Sequence, residues 1–134
     1  MIKVRGYHLD VYGHVNNARY LEFLEEARWA LFDDSDAIAR LDERGLGFAV
    51  VNVNISYRQP ARLGDVLEIA SSLASLGERS GVVRQVVRLA PDGAVVADAD
   101  VTFAVFDRST GRAVALTPDV RELVAGPGWG SPGL

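Results

Sequence analysis

The chain has 134 residues, of which 49% are hydrophobic and 24% charged, and its formal net charge is −4 at pH 7. This size fits one compact domain, and the acidic balance excludes a basic field that could hold a nucleic-acid backbone. The chain has no cysteine, which excludes disulfides and cysteine-based zinc sites and leaves His8 and His14 as the only nitrogen ligands.

The first segment, residues 2–7, alternates apolar and charged residues and predicts a strand. It lacks the apolar stretch of a signal peptide, and no later segment approaches the roughly 20 apolar residues that a membrane helix needs. We therefore expect a soluble, cytoplasmic protein with no membrane span.

A long helix is predicted from residue 18. Asn17 or Asn16 is the expected N-cap, because a short amide side chain accepts a bond from a free N–H of the first turn. Glutamates 22, 25 and 26 take the polar face, beside Trp29, which indicates either an interface or ordinary packing. The apolar face is formed by Tyr20, Phe23, Leu24, Ala27 and Leu31.

The remaining sequence is dominated by strands. A short helix is expected over residues 36–44, before Gly45, and strands over residues 48–57, 66–75, 81–89 and 94–106. A Pro-Asp-Gly turn joins the last two strands as a hairpin, a short strand is expected near residues 112–115, and Pro118 begins a small terminal helix. We therefore expect one domain over residues 1–125 and a flexible tail over residues 126–134.

One long helix among antiparallel strands indicates an α+β fold in which a curled sheet covers the helix. A sheet of this size leaves open edges, so we expect a second copy to pair with it edge to edge.

The segment before the helix carries the groups that can do chemistry. The carboxylate of Asp10 can attack an activated carbonyl, or take a proton from water that does so. The helix that begins seven residues later presents free N–H groups and a partial positive charge, which can hold a developing oxyanion.

Simpler interpretations remain open. Asp10 and Asn17 also suit a turn and a cap, and His14 alone suits a solvated loop histidine, although an Asp10–His14 dyad is possible. The helix glutamates suit a solvated face, unless one of them replaces Asp10 as the working acid.

Several segments resemble one known family. LDVYGHVNN followed by ARYLEFLEEAR, together with RGYHLD, VVNVNISYRQP and VVADADVTF, is similar to the acyl-CoA thioesterases of the hotdog fold, in the 4-hydroxybenzoyl-CoA thioesterase family. The likeness is greatest to the long-chain acyl-CoA thioesterase (FadM-like) branch and runs from residue 2 to about residue 124.

The resemblance implies a helix wrapped by an antiparallel sheet, dimers whose sheets join, often paired again into tetramers, and an active site at the dimer interface. It implies hydrolysis of a fatty acyl-CoA, with Asp10 as the catalytic aspartate and the N–H near Asn17 polarising the thioester carbonyl. Several relatives have histidine or tyrosine at position 17, but a backbone N–H does the proposed work.

The substrate needs a tunnel for its acyl chain and cations for its phosphates. Tyr20 and Phe23 could line the tunnel or belong to the core, and Arg58, Arg62 and Arg84 could meet the phosphates. A carboxylate with an oxyanion site can cleave a thioester without a metal or organic cofactor, and we expect none. The alternatives are an enoyl-CoA hydratase that uses Asp10 with His14, and a non-catalytic acyl-CoA binding module.

Overall fold

The computed structural model describes residues 1–129, in which a five-stranded sheet and three α-helices form the fold. The strands are β1 (Ile2–Lys3), β2 (Leu46–Tyr57), β3 (Val66–Leu76), β4 (Ser80–Ala90) and β5 (Val95–Asp107), and the helices are α1 (Asn17–Phe32), α2 (Ala37–Glu43) and α3 (Pro118–Ala125). The strand order is β1-β3-β4-β5-β2, and every neighbouring pair is antiparallel. The predicted α+β fold, a curled antiparallel sheet around one long helix, is confirmed.

The core lies between α1 and the inner face of the sheet. Leu24 of α1 packs in one cluster with Leu67, Val87 and Val101 from the three central strands. Full burial of such a side chain contributes about 1.5–3 kcal/mol to folding. This apolar contact holds α1 against the sheet and so sets where the helix begins.

A buried polar group ties the middle of α1 to the sheet. Gln85 of β4 is 0% exposed, and its Nε2 donates to the carbonyl oxygen of Leu24 at 3.0 Å and to Ser71 Oγ at 2.9 Å. Its Oε1 accepts from Arg28 Nη1 at 2.9 Å. Burial lowers the pKa of Arg28 from its ordinary value. Hydrogen bonds are directional, so these bonds fix the position of α1 along its own axis. Apolar packing alone does not fix that position.

Two predicted strands are shorter than expected. The first strand ends at Lys3, because the Arg5 N–H donates to His8 Nδ1 and closes a 3₁₀ turn over Gly6–His8 instead of extending the ladder. The expected strand near residues 112–115 is reduced to one bridge, between Phe106 and Ala113. The Val114 N–H still donates to the Val105 carbonyl oxygen of β5, but the Leu116 N–H donates to the Glu78 carbonyl oxygen, so the chain leaves β5 by this point.

The predicted tail is partly packed. Trp129 lies against Phe32, with ring centroids 5.9 Å apart, and its Nε1 donates to the Val124 carbonyl oxygen at 3.1 Å. Residues 130–134 lie outside the described residues. Across residues 1–129, none of the helices combines the length and the apolar character that crossing a membrane requires.

Candidate active site

Asp10 lies in a tight hairpin that leads into α1. Leu9 and Val15 form a bridge, and the Asp10 N–H donates to the His14 carbonyl oxygen at 2.8 Å. Gly13 has φ +75°, a left-handed conformation that glycine adopts without strain. The sequence Asp-Val-Tyr-Gly-His therefore folds back on itself and brings both of its ends to the start of the helix.

The hairpin uses one oxygen of the Asp10 carboxylate and leaves the other free. Oδ1 accepts from the Tyr12 N–H at 2.9 Å and from the His14 N–H at 3.2 Å. Within the described chain Oδ2 has no hydrogen-bond partner. The sequence analysis left a turn role and a chemical role for Asp10 as alternatives. In the structure one carboxylate oxygen serves the turn, and the other is available for chemistry.

The start of α1 leaves one N–H free beside this hairpin. Asn16, one of the two expected positions, is the N-cap, and its Oδ1 accepts from the Ala18 N–H at 2.9 Å. The Asn16 N–H donates to the His8 carbonyl oxygen at 2.8 Å. The Asn17 N–H has no acceptor among residues 1–129. Asn17 is therefore the first helical residue, with a free donor at the positive end of α1.

The same contacts place the two groups near each other. Along the hairpin, Asp10 pairs with His14 and, two positions further, His8 pairs with Asn16. Two residues of extended chain span about 7 Å. The backbone of Asp10 therefore lies within roughly this distance of the His8–Asn16 pair that precedes Asn17.

His8 holds the hairpin and the start of α1 together, a role that the sequence analysis did not identify. The ring is 7% exposed and packs edge-on against Phe23, with centroids 4.9 Å apart. Burial, followed by the charge of Arg19, lowers the pKa of His8. The neutral ring keeps Nδ1 as an acceptor for the Arg5 N–H. His8 therefore connects the turn after β1, the hairpin and α1.

His14 contacts Asp10 through its backbone. The N–H of His14 donates to Asp10 Oδ1, whereas its imidazole makes no hydrogen bond to Asp10 in the described chain. The Asp10–His14 side-chain dyad is not formed in this structure. The backbone of His14 also forms a bridge with Arg62, which brings the β2–β3 turn beside the hairpin.

The two aromatic residues expected to bind the acyl chain differ in position. Tyr20 is buried in the core, with its ring 5.5 Å from that of Tyr57. Burial raises the pKa of Tyr20. Phe23 is also buried in the core, and it lines an open groove of about 460 Å³ between β1 and α1. Of the two, Phe23 is the one that borders this groove.

The three candidate arginines separate into two groups. Arg58 donates to both oxygens of Asp98, at 2.8 and 3.1 Å, and Arg84 forms ion pairs with Asp98 and Asp100 at 3.2 and 3.3 Å. The hydrogen bond from Arg58 lowers the pKa of Asp98. Arg62 forms no ion pair within residues 1–129. Arg62 is therefore the candidate with an uncommitted charge, and it lies beside the Asp10 hairpin.

Two glutamates of α1 are engaged by other side chains of the same helix. Glu22 forms an ion pair with Arg19 at 2.8 Å, and Glu25 accepts from Trp29 Nε1 at 3.3 Å. Both glutamates are exposed. These contacts favour the solvated-face interpretation of the glutamates over that of a substitute for Asp10.

Tyr57 completes the surroundings of the helix start and was not selected from the sequence. Its hydroxyl donates to the Asn17 carbonyl oxygen at 3.1 Å. The two residues are 40 positions apart, so no local pattern could have indicated the contact.

Known proteins are similar to this chain across the whole region that contains these residues. The model of the thioesterase-like superfamily matches residues 4–124. The long-chain acyl-CoA thioesterase FadM of Escherichia coli (strain K12) is 55% identical over 121 residues, which cover 90% of this chain and 92% of FadM. The matched residues include Asp10, Asn17 and Tyr57.

Solved structures agree with this result. The probable thioesterase YbaW from Escherichia coli is similar with a TM-score of 0.89 at 54% identity, covering 92% of this chain and 93% of that one. A thioesterase from Thermus thermophilus, solved with coenzyme A and zinc, has a TM-score of 0.76 at 28% identity and covers 95% and 93% of the two chains. The resemblance identified in the sequence is confirmed.

Proposed function

The chain belongs to the thioesterase-like superfamily and has the hotdog fold, and we propose that it hydrolyses long-chain acyl-CoA thioesters to free fatty acid and coenzyme A. The observation that carries this proposal is the 55% identity to long-chain acyl-CoA thioesterase FadM over 90% of the chain. The free oxygen of Asp10 and the free N–H of Asn17 supply the two groups that such a hydrolysis needs.

In the proposed mechanism the thioester carbonyl oxygen accepts from the Asn17 N–H at the start of α1. As the carbonyl carbon becomes tetrahedral, negative charge grows on this oxygen, and the helix N-terminus stabilises that charge. Asp10 Oδ1 stays bonded to the hairpin while Oδ2 faces the reacting carbon. The hairpin thus orients the carboxylate before the substrate arrives, which lowers the entropic part of the barrier.

Two routes share this geometry. Oδ2 can attack the carbonyl carbon and form an anhydride that water then hydrolyses, or it can take a proton from a water molecule that attacks instead. In both routes the carbon–sulfur bond breaks and the thiolate of coenzyme A leaves. A thiol has a pKa of about 8.5, so its thiolate departs without strong protonation.

Arg62 is proposed to bind the phosphates of the substrate. Arg62 carries a charge without an ion-pair partner in the described residues and lies beside the hairpin, whereas Arg58 is held by Asp98. We expect Arg62→Gln to raise KM for acyl-CoA about 5- to 50-fold with kcat within about twofold, since a charge-assisted hydrogen bond contributes about 1.5–3 kcal/mol at most. Steady-state kinetics with oleoyl-CoA measures both constants.

Arg58→Gln is the matched control, because it removes an exposed arginine whose charge is already paired. We expect its KM to stay within about twofold of that of the unmodified chain. Equal KM values for the two variants would contradict the assignment of Arg62 to the phosphates.

A second copy is proposed to complete the site. In the described chain β2 is an edge of the sheet, and its central residues are exposed, with Val51 60% and Val50 46% exposed. An open edge with exposed apolar residues is a surface that proteins cover. Pairing of two β2 edges would extend the sheet across the dimer and bring each site close to the partner.

The proposed function is tested by thiol release. A panel of short, medium, long and aromatic acyl-CoAs, followed with a thiol reagent and run beside light scattering, should give turnover that is highest for long chains and a mass of at least a dimer. If no acyl-CoA in the panel releases thiol, the proposed function is wrong. Hydration of an enoyl-CoA without thiol release would instead support the hydratase.

A further inference from the structure

The hydroxyl of Tyr57 connects the edge of the sheet to the start of α1. Tyr57 is the last residue of β2, and its ring packs 5.5 Å from the ring of Tyr20. Its hydroxyl donates to the Asn17 carbonyl oxygen at 3.1 Å. Among residues 1–129 this is the one hydrogen bond between β2 and α1. Tyr57 is 42% exposed, so the bond lies at the surface beside the Asp10 hairpin.

This bond acts on the residue whose N–H is proposed to hold the oxyanion. The N–H and the C=O of Asn17 belong to two rigid peptide planes that meet at its Cα atom. On one side, the Asn16 carbonyl oxygen shares its peptide plane with the Asn17 N–H and accepts from the Arg19 N–H at 2.9 Å, which holds that plane. On the other side, Tyr57 holds the plane that carries the Asn17 carbonyl. With both planes held, the direction of the Asn17 N–H is fixed.

We propose that Tyr57 is a positioning residue for thioester hydrolysis, whose hydroxyl aligns the Asn17 N–H with the carbonyl oxygen of the substrate. The inference rests on the proposed function and assigns a further residue to that site. An oxyanion donor stabilises the transition state only where it points at the developing charge, so the alignment governs kcat. β2 is also the edge proposed to pair with a second copy. Tyr57, the last residue of β2, therefore joins the proposed dimer edge to the start of α1.

The test is Tyr57→Phe, which removes the hydroxyl and keeps the ring against Tyr20. We expect kcat with oleoyl-CoA to fall about 3- to 10-fold with KM within about twofold, as for the loss of one neutral hydrogen bond that acts on the transition state. The melting temperature should stay within about 2 °C, since an exposed hydrogen bond contributes little to stability. In NMR spectra, the Asn17 amide resonance should shift.

Tyr7→Phe is the matched control. Its phenol is 71% exposed and forms no hydrogen bond with any residue between 1 and 129, so kcat and the Asn17 amide should be unchanged. An active unmodified chain with an equally active Tyr57→Phe variant would overturn the role of Tyr57 and leave the proposed function intact. An inactive unmodified chain would overturn the proposed function itself, and the role of Tyr57 with it.

Discussion

Asp10→Asn is expected to lower kcat for oleoyl-CoA by at least about 10²-fold while the melting temperature stays within about 2 °C. The amide oxygen of asparagine can still accept from the Tyr12 and His14 N–H groups, so the hairpin is retained. The amide is neither a nucleophile nor a base at neutral pH, so the chemical step loses its carboxylate. Thiol release at saturating substrate, with thermal denaturation in parallel, measures both quantities.

Asp10→Ala separates the two roles of this side chain. It removes the charge and also the acceptor of two backbone N–H groups, each of which contributes about 0.5–1.5 kcal/mol. We expect activity as low as that of Asp10→Asn but a melting temperature several degrees lower, because about 1–3 kcal/mol of stability is lost. Full turnover in Asp10→Asn would contradict the assignment of the carboxylate to the chemistry.

Gln85→Leu is expected to cause the largest loss of stability, about 2–4 kcal/mol in the free energy of unfolding and about 10 °C in melting temperature. Leucine fills a similar volume but leaves buried Ser71 Oγ without its donor and half-buried Arg28 without its acceptor. It also removes the bond to the Leu24 carbonyl oxygen, which holds α1 along its axis. Urea and thermal denaturation report the change.

Arg84→Gln is the matched control for this variant, because Arg84 precedes Gln85 in β4 and points to the opposite, solvent-facing side. Its ion pairs with Asp98 and Asp100 are partly exposed, so their loss should lower stability by at most about 1 kcal/mol. If the two variants were equally stable, the buried network would have no structural role.

Periodicity predicts the features of this fold that depend on neighbouring residues. The spacing of Tyr20, Phe23 and Leu24 indicates the buried face of α1, and Pro118 marks the start of α3 where the structure has it. The choice between Asn16 and Asn17 as N-cap was left open, because helix ends shift by a residue with local hydrogen bonding. In the structure Asn16 is the N-cap, because its backbone is extended and its Oδ1 accepts from the Ala18 N–H.

The parts of the site that could not be predicted depend on pairing across the sheet. Which arginine is free follows from the register that sets Arg84 opposite Asp100, and from the side-chain pairing of Arg58 with Asp98. Neither pairing can be read from residues that are neighbours in the sequence. The bond from Tyr57 to Asn17 joins an edge strand to a helix and leaves no periodic signal. Asp10 was selected as a candidate from the sequence, because its position before a helix start is a local feature.

The central claim is that the Asp10 carboxylate and the Asn17 N–H act on the same thioester carbonyl. Asn17 contributes a backbone donor, which no substitution at that position other than proline removes, and kinetics of Asp10 variants reports on the carboxylate alone. The geometry of a bound substrate tests both groups together.

The most direct measurement is a crystal structure of the chain with a non-hydrolysable long-chain acyl-CoA analogue that keeps the carbonyl group. We expect the carbonyl oxygen within about 3.2 Å of the Asn17 nitrogen and Asp10 Oδ2 within about 3.5 Å of the carbonyl carbon, or joined to it through one water molecule. A carbonyl group bound elsewhere, with Asp10 directed to bulk solvent, would contradict the account.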